Sequence, residues 1–174
     1  VIPSASAKTA VLWSVFDLLK QTLEESKQVQ KRSTLEVDKS LGRGNWAKIP
    51  WIGLLDARET ETTREGVYCI YLFREDMSGV YLTYNQGVTN LINEKGRIEA
   101  RKSMHSQARK LRENCRNLTE HGFSLDDEID LRASSGLGLE YEHSTIAYKL
   151  YKAEDIPPDS QLLQDLEAVL AAYD

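Results

Sequence analysis

The chain has 174 residues, 41% of them hydrophobic and 28% charged, with a net charge of −5. That length supports one domain able to bury roughly 70% of its unfolded surface, and the composition excludes a disordered chain. No run approaches the ~20 apolar residues of a membrane helix, and VIPSASAKTAVLW lacks the charged start and long apolar stretch of a signal peptide, so a cytosolic protein is expected.

The first predicted element is AVLWSVFDLLKQTLEESKQ, where Val11, Leu12, Val15, Phe16, Leu18, Leu19 and Leu23 fall at helical spacing. It reads as an amphipathic helix docked on a core, with Trp13 off the stripe and partly packed. KIPWIGLLD reads as a short buried strand opened by Pro50, since proline can begin a strand but not sit in its middle. The preceding GRGNWA, residues 42–47, is then a loop entering a sheet. Tryptophans at 46 and 51 are not explained by turn chemistry, which favours small polar residues.

GVYCIYLFREDMSGVYLTYNQG reads as two strands joined by a turn around Asp76 to Gly79. Alternation puts Val67, Cys69, Tyr71 and Phe73 on one face of the first strand and Tyr68, Ile70 and Leu72 on the other. Both sets are apolar, which predicts a central strand. In the second, Val80, Leu82 and Tyr84 oppose Tyr81 and Thr83. Residues 90–121 are polar and helix-favouring, broken near Gly96, with Leu91, Ile92, Ile98, Met104, Ala108, Leu111, Cys115 and Leu118 as packing positions. SSGLGLEYEHS reads as a loop and STIAYKLYKA as a strand. PPDSQLLQDLEAVLAAYD reads as a terminal helix with Asp159 or Ser160 as N-cap. The expected architecture is α+β: a single domain over residues 1–174, with a central mixed, mostly antiparallel sheet flanked by N-terminal, middle and C-terminal helices. The missing initiator Met suggests a piece of a longer protein.

Charge is polarised along the chain. Lys95, Arg97, Arg101, Lys102, Arg109, Lys110, Arg112 and Arg116 face only Glu99 and Glu113, whereas residues 120–142 carry seven acids against Arg132. Two solvated faces would explain the pattern, and so would a polyanion-binding surface opposed by an acidic one.

Little points to catalysis. GRGN is not a phosphate-binding fingerprint, and no P-loop occurs. Asp126, Asp127, Glu128 and Asp130 could hold a divalent ion but sit in a loop-like run with no strand to aim them. Cys69, Cys115, His105, His121 and His143 show no metal-ligand spacing, and both cysteines are expected to be reduced and buried. Neither a metal nor a cofactor is expected. The aromatic residues Trp46, Trp51, Tyr68, Tyr71, Tyr81 and Tyr84, close to the basic segment, admit two explanations: a tyrosine-rich core, or flat faces that stack bases beside cations that hold phosphates.

GRGNWAKIPWIGLLD, followed by GVYCIYLF and VYLTYNQG, resembles the N-terminal domain of McrB-type, modification-dependent restriction proteins, whose signature is a G-x-G-N-aromatic-x-x-I-P-W block followed by G-[IV]-Y strands. The motif match covers residues 42–87; the remainder agrees in helix and strand order. The resemblance implies a non-enzymatic module that binds double-stranded DNA and rotates a modified cytosine, 5-methylcytosine or a relative, into an aromatic pocket. Cleavage would fall to a nuclease or nucleotide-driven motor in another domain or subunit. The family's pocket positions fall on Trp51, Tyr68 and Leu72, and through YEHSTIAY on Tyr141. The loop Gly42, Arg43, Gly44, Asn45 and Trp46 would approach the duplex, with Arg43 standing where a relative has the tyrosine that fills the vacated stack. The eight cations between Lys95 and Arg116 would hold phosphates. The alternative is a protein-interaction or sensor domain of the same fold without DNA binding.

Overall fold

The two-faced apolar alternation of VYCIYLF makes it the middle strand of a five-stranded sheet. The structure, a computed structural model, describes residues 5–42 and 47–174, with side chains from residue 11 onward. In spatial order the strands are β1 (Leu35–Ser40), β2 (Trp51–Asp56), β3 (Val67–Phe73), β4 (Gly79–Gln86) and β5 (Thr145–Lys152), each antiparallel to its neighbours. The expected mixed sheet is therefore wholly antiparallel. The helices are α1 (Ala5–Glu25), α2 (Lys27–Gln30), α3 (Thr89–Lys95), α4 (Arg97–Asn114), α5 (Leu137–Ser144) and α6 (Asp159–Tyr173), with a 3-10 turn over Arg116–His121. No helix among the described residues is long and apolar enough to cross a membrane.

The predicted division of β3 holds residue by residue. Cys69, with Val67, Tyr71 and Phe73, packs in a cluster with Leu54, Leu82, Phe16 and the α6 residues Leu166, Val169 and Leu170. Tyr68, Ile70 and Leu72 pack on the opposite face with Leu55, Tyr81, Ile129, Leu131 and Tyr141. Tyr68, Cys69, Ile70 and Leu72 are all 0% exposed. At roughly 1.5–3 kcal/mol per fully buried large apolar side chain, this burial outweighs strand propensities, which span only about 1 kcal/mol.

Several elements differ from the sequence expectation. β1 is unanticipated because LEVDKS buries only Leu35 and Val37 and exposes Glu36 and Asp38, a pattern too short to stand out. SSGLGLEYEHS is not all loop: its last eight residues are α5. α6 starts at Asp159 behind Pro158 with no side-chain cap, so neither Asp159 nor Ser160 is the N-cap. On α1 only Phe16 of the apolar stripe is buried, while Val11, Val15 and Leu18 are exposed, and Ile98 of α4 is exposed too. Trp13 is partly exposed, with Lys39 over its ring. Gly96 breaks the basic segment as expected, at a φ of 78°. Gly87 is required for another reason: a Cβ there would lie 2.2 Å from the Glu65 backbone nitrogen.

One polar cluster fastens β5 to α6. Asp165, 0% exposed, accepts from the Tyr151 hydroxyl at 2.7 Å and the Gln161 amide at 2.8 Å, and pairs with Lys149 at 2.8 Å. Removing one partner of a buried pair strands the other in low dielectric, a loss of about 3 kcal/mol or more. Asp165→Ala is therefore expected to destabilise the fold by about 3 kcal/mol in urea unfolding, whereas Glu154→Ala, on an exposed loop, should stay within about 0.5 kcal/mol of the parent.

Candidate nucleic-acid interface

The four residues to which the resemblance assigns a pocket, Trp51, Tyr68, Leu72 and Tyr141, lie in one cluster on one face of the sheet. Antiparallel register sets Trp51 of β2 directly opposite Leu72 of β3. Tyr68 is on the same face of β3, with Ile70 between them. Tyr141 arrives from α5, which lies over that face. Tyr68 and Leu72 are 0% exposed and Tyr141 is 4% exposed; Trp51 is half-buried and offers the cluster's open surface. The Tyr68 hydroxyl donates to the Thr63 carbonyl at 2.9 Å, and burial pushes its pKa well above the ordinary value, keeping it a neutral donor. Burial likewise pushes Tyr141 up to about 12, opposed by a hydrogen bond with Trp51.

The stems of the GRGNW loop stand beside this cluster. Arg43, Gly44, Asn45 and Trp46 lie outside the described residues. Gly42 takes a φ of 103°, a conformation that side chains disfavour, and its N–H donates to Ser40 Oγ at 3.3 Å. Across the loop the Ala47 N–H donates to the Leu41 carbonyl at 2.8 Å. Lys48 Nζ then donates to Ser134 and Ser135 at 3.0 and 2.7 Å. Gly138 packs so closely that a Cβ would meet Ile49 at 2.8 Å and Ala133 at 2.9 Å. The loop exit and the start of α5 therefore form one packed unit above the cluster.

The fold divides the eight cations. Arg97 and Arg101 both bind Glu140, a carboxylate only 2% exposed: Arg97 Nε lies 3.0 Å from Oε1, and Arg101 bonds both oxygens, at 2.7 and 3.1 Å. Arg112 donates to the carbonyls of Ile146, Asp126 and Thr145 and pairs with Asp127 at 2.8 Å. Lys102 pairs with Glu99 at 3.0 Å on the surface of α4. Lys95, Arg109, Lys110 and Arg116 are exposed and form no ion pair among the described residues. The basic and acidic runs thus fold partly against one another.

Sequence reasoning missed the clasp between α4 and α5. Beside Glu140, His105 Nε2 lies 2.9 Å from His143 Nδ1, and His105 Nδ1 lies 3.5 Å from Asp127. The available signal was the spacing of Glu140 and His143, one helical turn apart, hidden by reading that segment as a loop. The acids of the 126–130 run serve local structure: Asp126 accepts from the Tyr148 hydroxyl and the Glu128 N–H, and Asp130 from the Arg132 N–H. Among the described residues no group of three or more His, Cys, Asp or Glu side chains is placed to hold a metal ion.

The sequence matches the family described as the MrcB-like, N-terminal domain over residues 4–174. No curated protein matches the chain.

The histidine contact generates a pH dependence. Burial, then Arg101 and His105, lower the His143 pKa, against smaller opposing contributions from Glu140 and Asp127. A depressed histidine is charged more readily when unfolded, so its contribution is present above about pH 6.5 and is lost as pH falls through the depressed folded value. The melting temperature should fall between pH 7 and pH 5, and His143→Gln should flatten that slope. An unchanged slope in the variant would place the titration elsewhere.

Proposed function

Because the chain belongs to the family of MrcB-like N-terminal domains, we propose that it is the DNA-specificity module of a modification-dependent restriction system, one that receives a modified cytosine, extruded from the duplex, in the Trp51–Tyr68–Leu72–Tyr141 cluster. The observation that supports this most is the convergence of these four residues on one sheet face, beside the stems of the Gly42 loop. Extruding a base costs a few kcal/mol, and each base–aromatic contact returns roughly 1–3 kcal/mol, so Trp51 and Tyr141 together can offset it. With Tyr68 and Leu72 closed to solvent, entry proceeds at Trp51 and displaces Tyr141 on α5. A methyl group on the base then meets Leu72 and Ile70. Cutting is left to a nuclease or nucleotide-driven motor in another domain or subunit.

The division of cations sets the strength of backbone binding. Lys95, Arg109, Lys110 and Arg116 are free to displace phosphate counterions, whereas Arg97, Arg101 and Arg112 are engaged internally. Four phosphate contacts give a log–log salt slope of about −3.6, and eight would give about −7. The same internal neutralisation favours a second reading, an interaction or sensor domain that does not bind DNA.

Matched duplexes differing in one base modification, titrated at fixed salt, separate the two. The specificity module prefers one of them and shows a slope nearer −4 than −7; equal or absent binding to all of them would sink the proposal. Trp51→Ala is expected to erode the preference about tenfold, the equivalent of ~1.4 kcal/mol, and leave unmodified DNA unaffected. Arg43 enters on the resemblance alone. If its guanidinium fills the vacated stack, Arg43→Lys keeps the charge and loses the plane, so a fluorescent base analogue at the target should report less unstacking, and Arg43→Tyr should restore it.

A further inference from the structure

The sheet face opposite the Trp51 cluster carries an apolar surface that none of the described residues covers. Three exposed large hydrophobic side chains line it, Leu19 on α1, Ile156 before α6 and Leu163 on α6, and Val11, Val15 and Leu18 are exposed elsewhere along α1. Leu19 and Leu163 stand on opposite walls of a groove of about 370 Å³ that runs between α1 and α6. Its floor is Ile52, Phe73, Val80 and Tyr151 of the sheet. An exposed apolar groove of this kind marks an interaction site.

Charge distinguishes among the possible occupants. Along α6 and the loop before it, Glu154, Asp155 and Asp159 face only Lys152, and none of the four is ion-paired among the described residues. On α1 Lys20 is taken up by Glu24 and Asp17 by Lys39. The groove is thus apolar, with acid concentrated at the end where α6 begins and Asp159 in its lining. A second copy of this chain would bring like charge against like, which disfavours self-docking. Two helical walls over a flat apolar floor suit the apolar stripe of a third helix, with anchors at i, i+3 or i+4, and i+7.

We propose that this groove docks an amphipathic helix with basic flanks, contributed by a partner protein or domain. The docking face is on the other side of the sheet from the Trp51 cluster, so an occupant there leaves that cluster uncovered whatever it binds.

The test uses the 174-residue chain and two synthetic helical peptides of about five turns, identical in their Leu stripe, one flanked by Lys and the other by Glu. Binding is followed by fluorescence anisotropy. The Lys peptide is expected to bind one to one, at least about tenfold tighter than the Glu peptide. Ile156→Asp with Leu163→Asp changes two exposed side chains, with circular dichroism to verify the fold. This double variant should weaken the Lys peptide about tenfold even though it adds negative charge. Asp155→Lys should weaken it severalfold. Failure of the Lys peptide to bind, equal binding of both peptides, or tighter binding to the double variant, which marks mere charge attraction, would each overturn the proposal. So would a dimer in sedimentation that Leu163→Asp dissociates, since a second copy would then be the occupant.

Discussion

Everything else in the molecule is arranged around a strand that is apolar at every position, with Tyr68, Ile70 and Leu72 buried on one face and Cys69 buried between half-buried neighbours on the other. β3 can satisfy its backbone only by pairing with β2 and β4, and can keep its side chains from water only if each face of the sheet is covered. One face is covered by helices from the two ends of the chain, which pack as a conventional core. The other is covered by α5 and the 123–136 segment, which bring Leu131, Ile129 and Tyr141 over Tyr68 and Leu72. That second cover is short, and Gly138 in the first turn of α5 must fit between Ile49 and Ala133. This face therefore has the sheet below and a brief element above, held separately from the strands by α4.

What holds the lid is a buried charge. Glu140 is withdrawn from water, and α4 sets two guanidinium groups against it. This explains how a strongly basic helix belongs to an acidic protein: part of its charge is paired within the fold and part is left unpaired. A net charge of −5 and a surface able to meet phosphates are compatible because the cations are distributed by geometry. Counting charges along the chain overstates the surface and misses the anchor.

The sequence was most legible where a single physical demand acted alone. Alternation in β3 and β4 answers only to burial, and both faces of both strands follow from it. Gly96 was readable as a break because a helix tolerates glycine poorly. Legibility failed where two demands overlapped. α1 has a helical stripe whose spacing is satisfied on two adjacent faces, and spacing cannot say that the core takes Phe16 and leaves Val11, Val15 and Leu18 outside. α5 was concealed by Gly136 and Gly138, which mark a turn and a close approach rather than an absence of helix. Of the candidate site, the aromatic members could be placed from alternation and family resemblance. Glu140, His105 and His143 could not, since their importance arises only when α4 and α5 meet.

The order of strands has a kinetic side. β1 to β4 form a meander in which each strand pairs with the next along the chain, whereas β4 must wait for β5 across the entire excursion that contains α3, α4 and α5. Lengthening a loop adds little to its closure entropy, about 0.6 kcal/mol per doubling, but distant pairings form late. A chain emerging from its transition state with the meander in place would still lack the Glu140 clasp and the cover over Tyr68. Rare openings of the native protein should retrace that path, releasing the excursion as one cooperative unit while the meander keeps its amide protons.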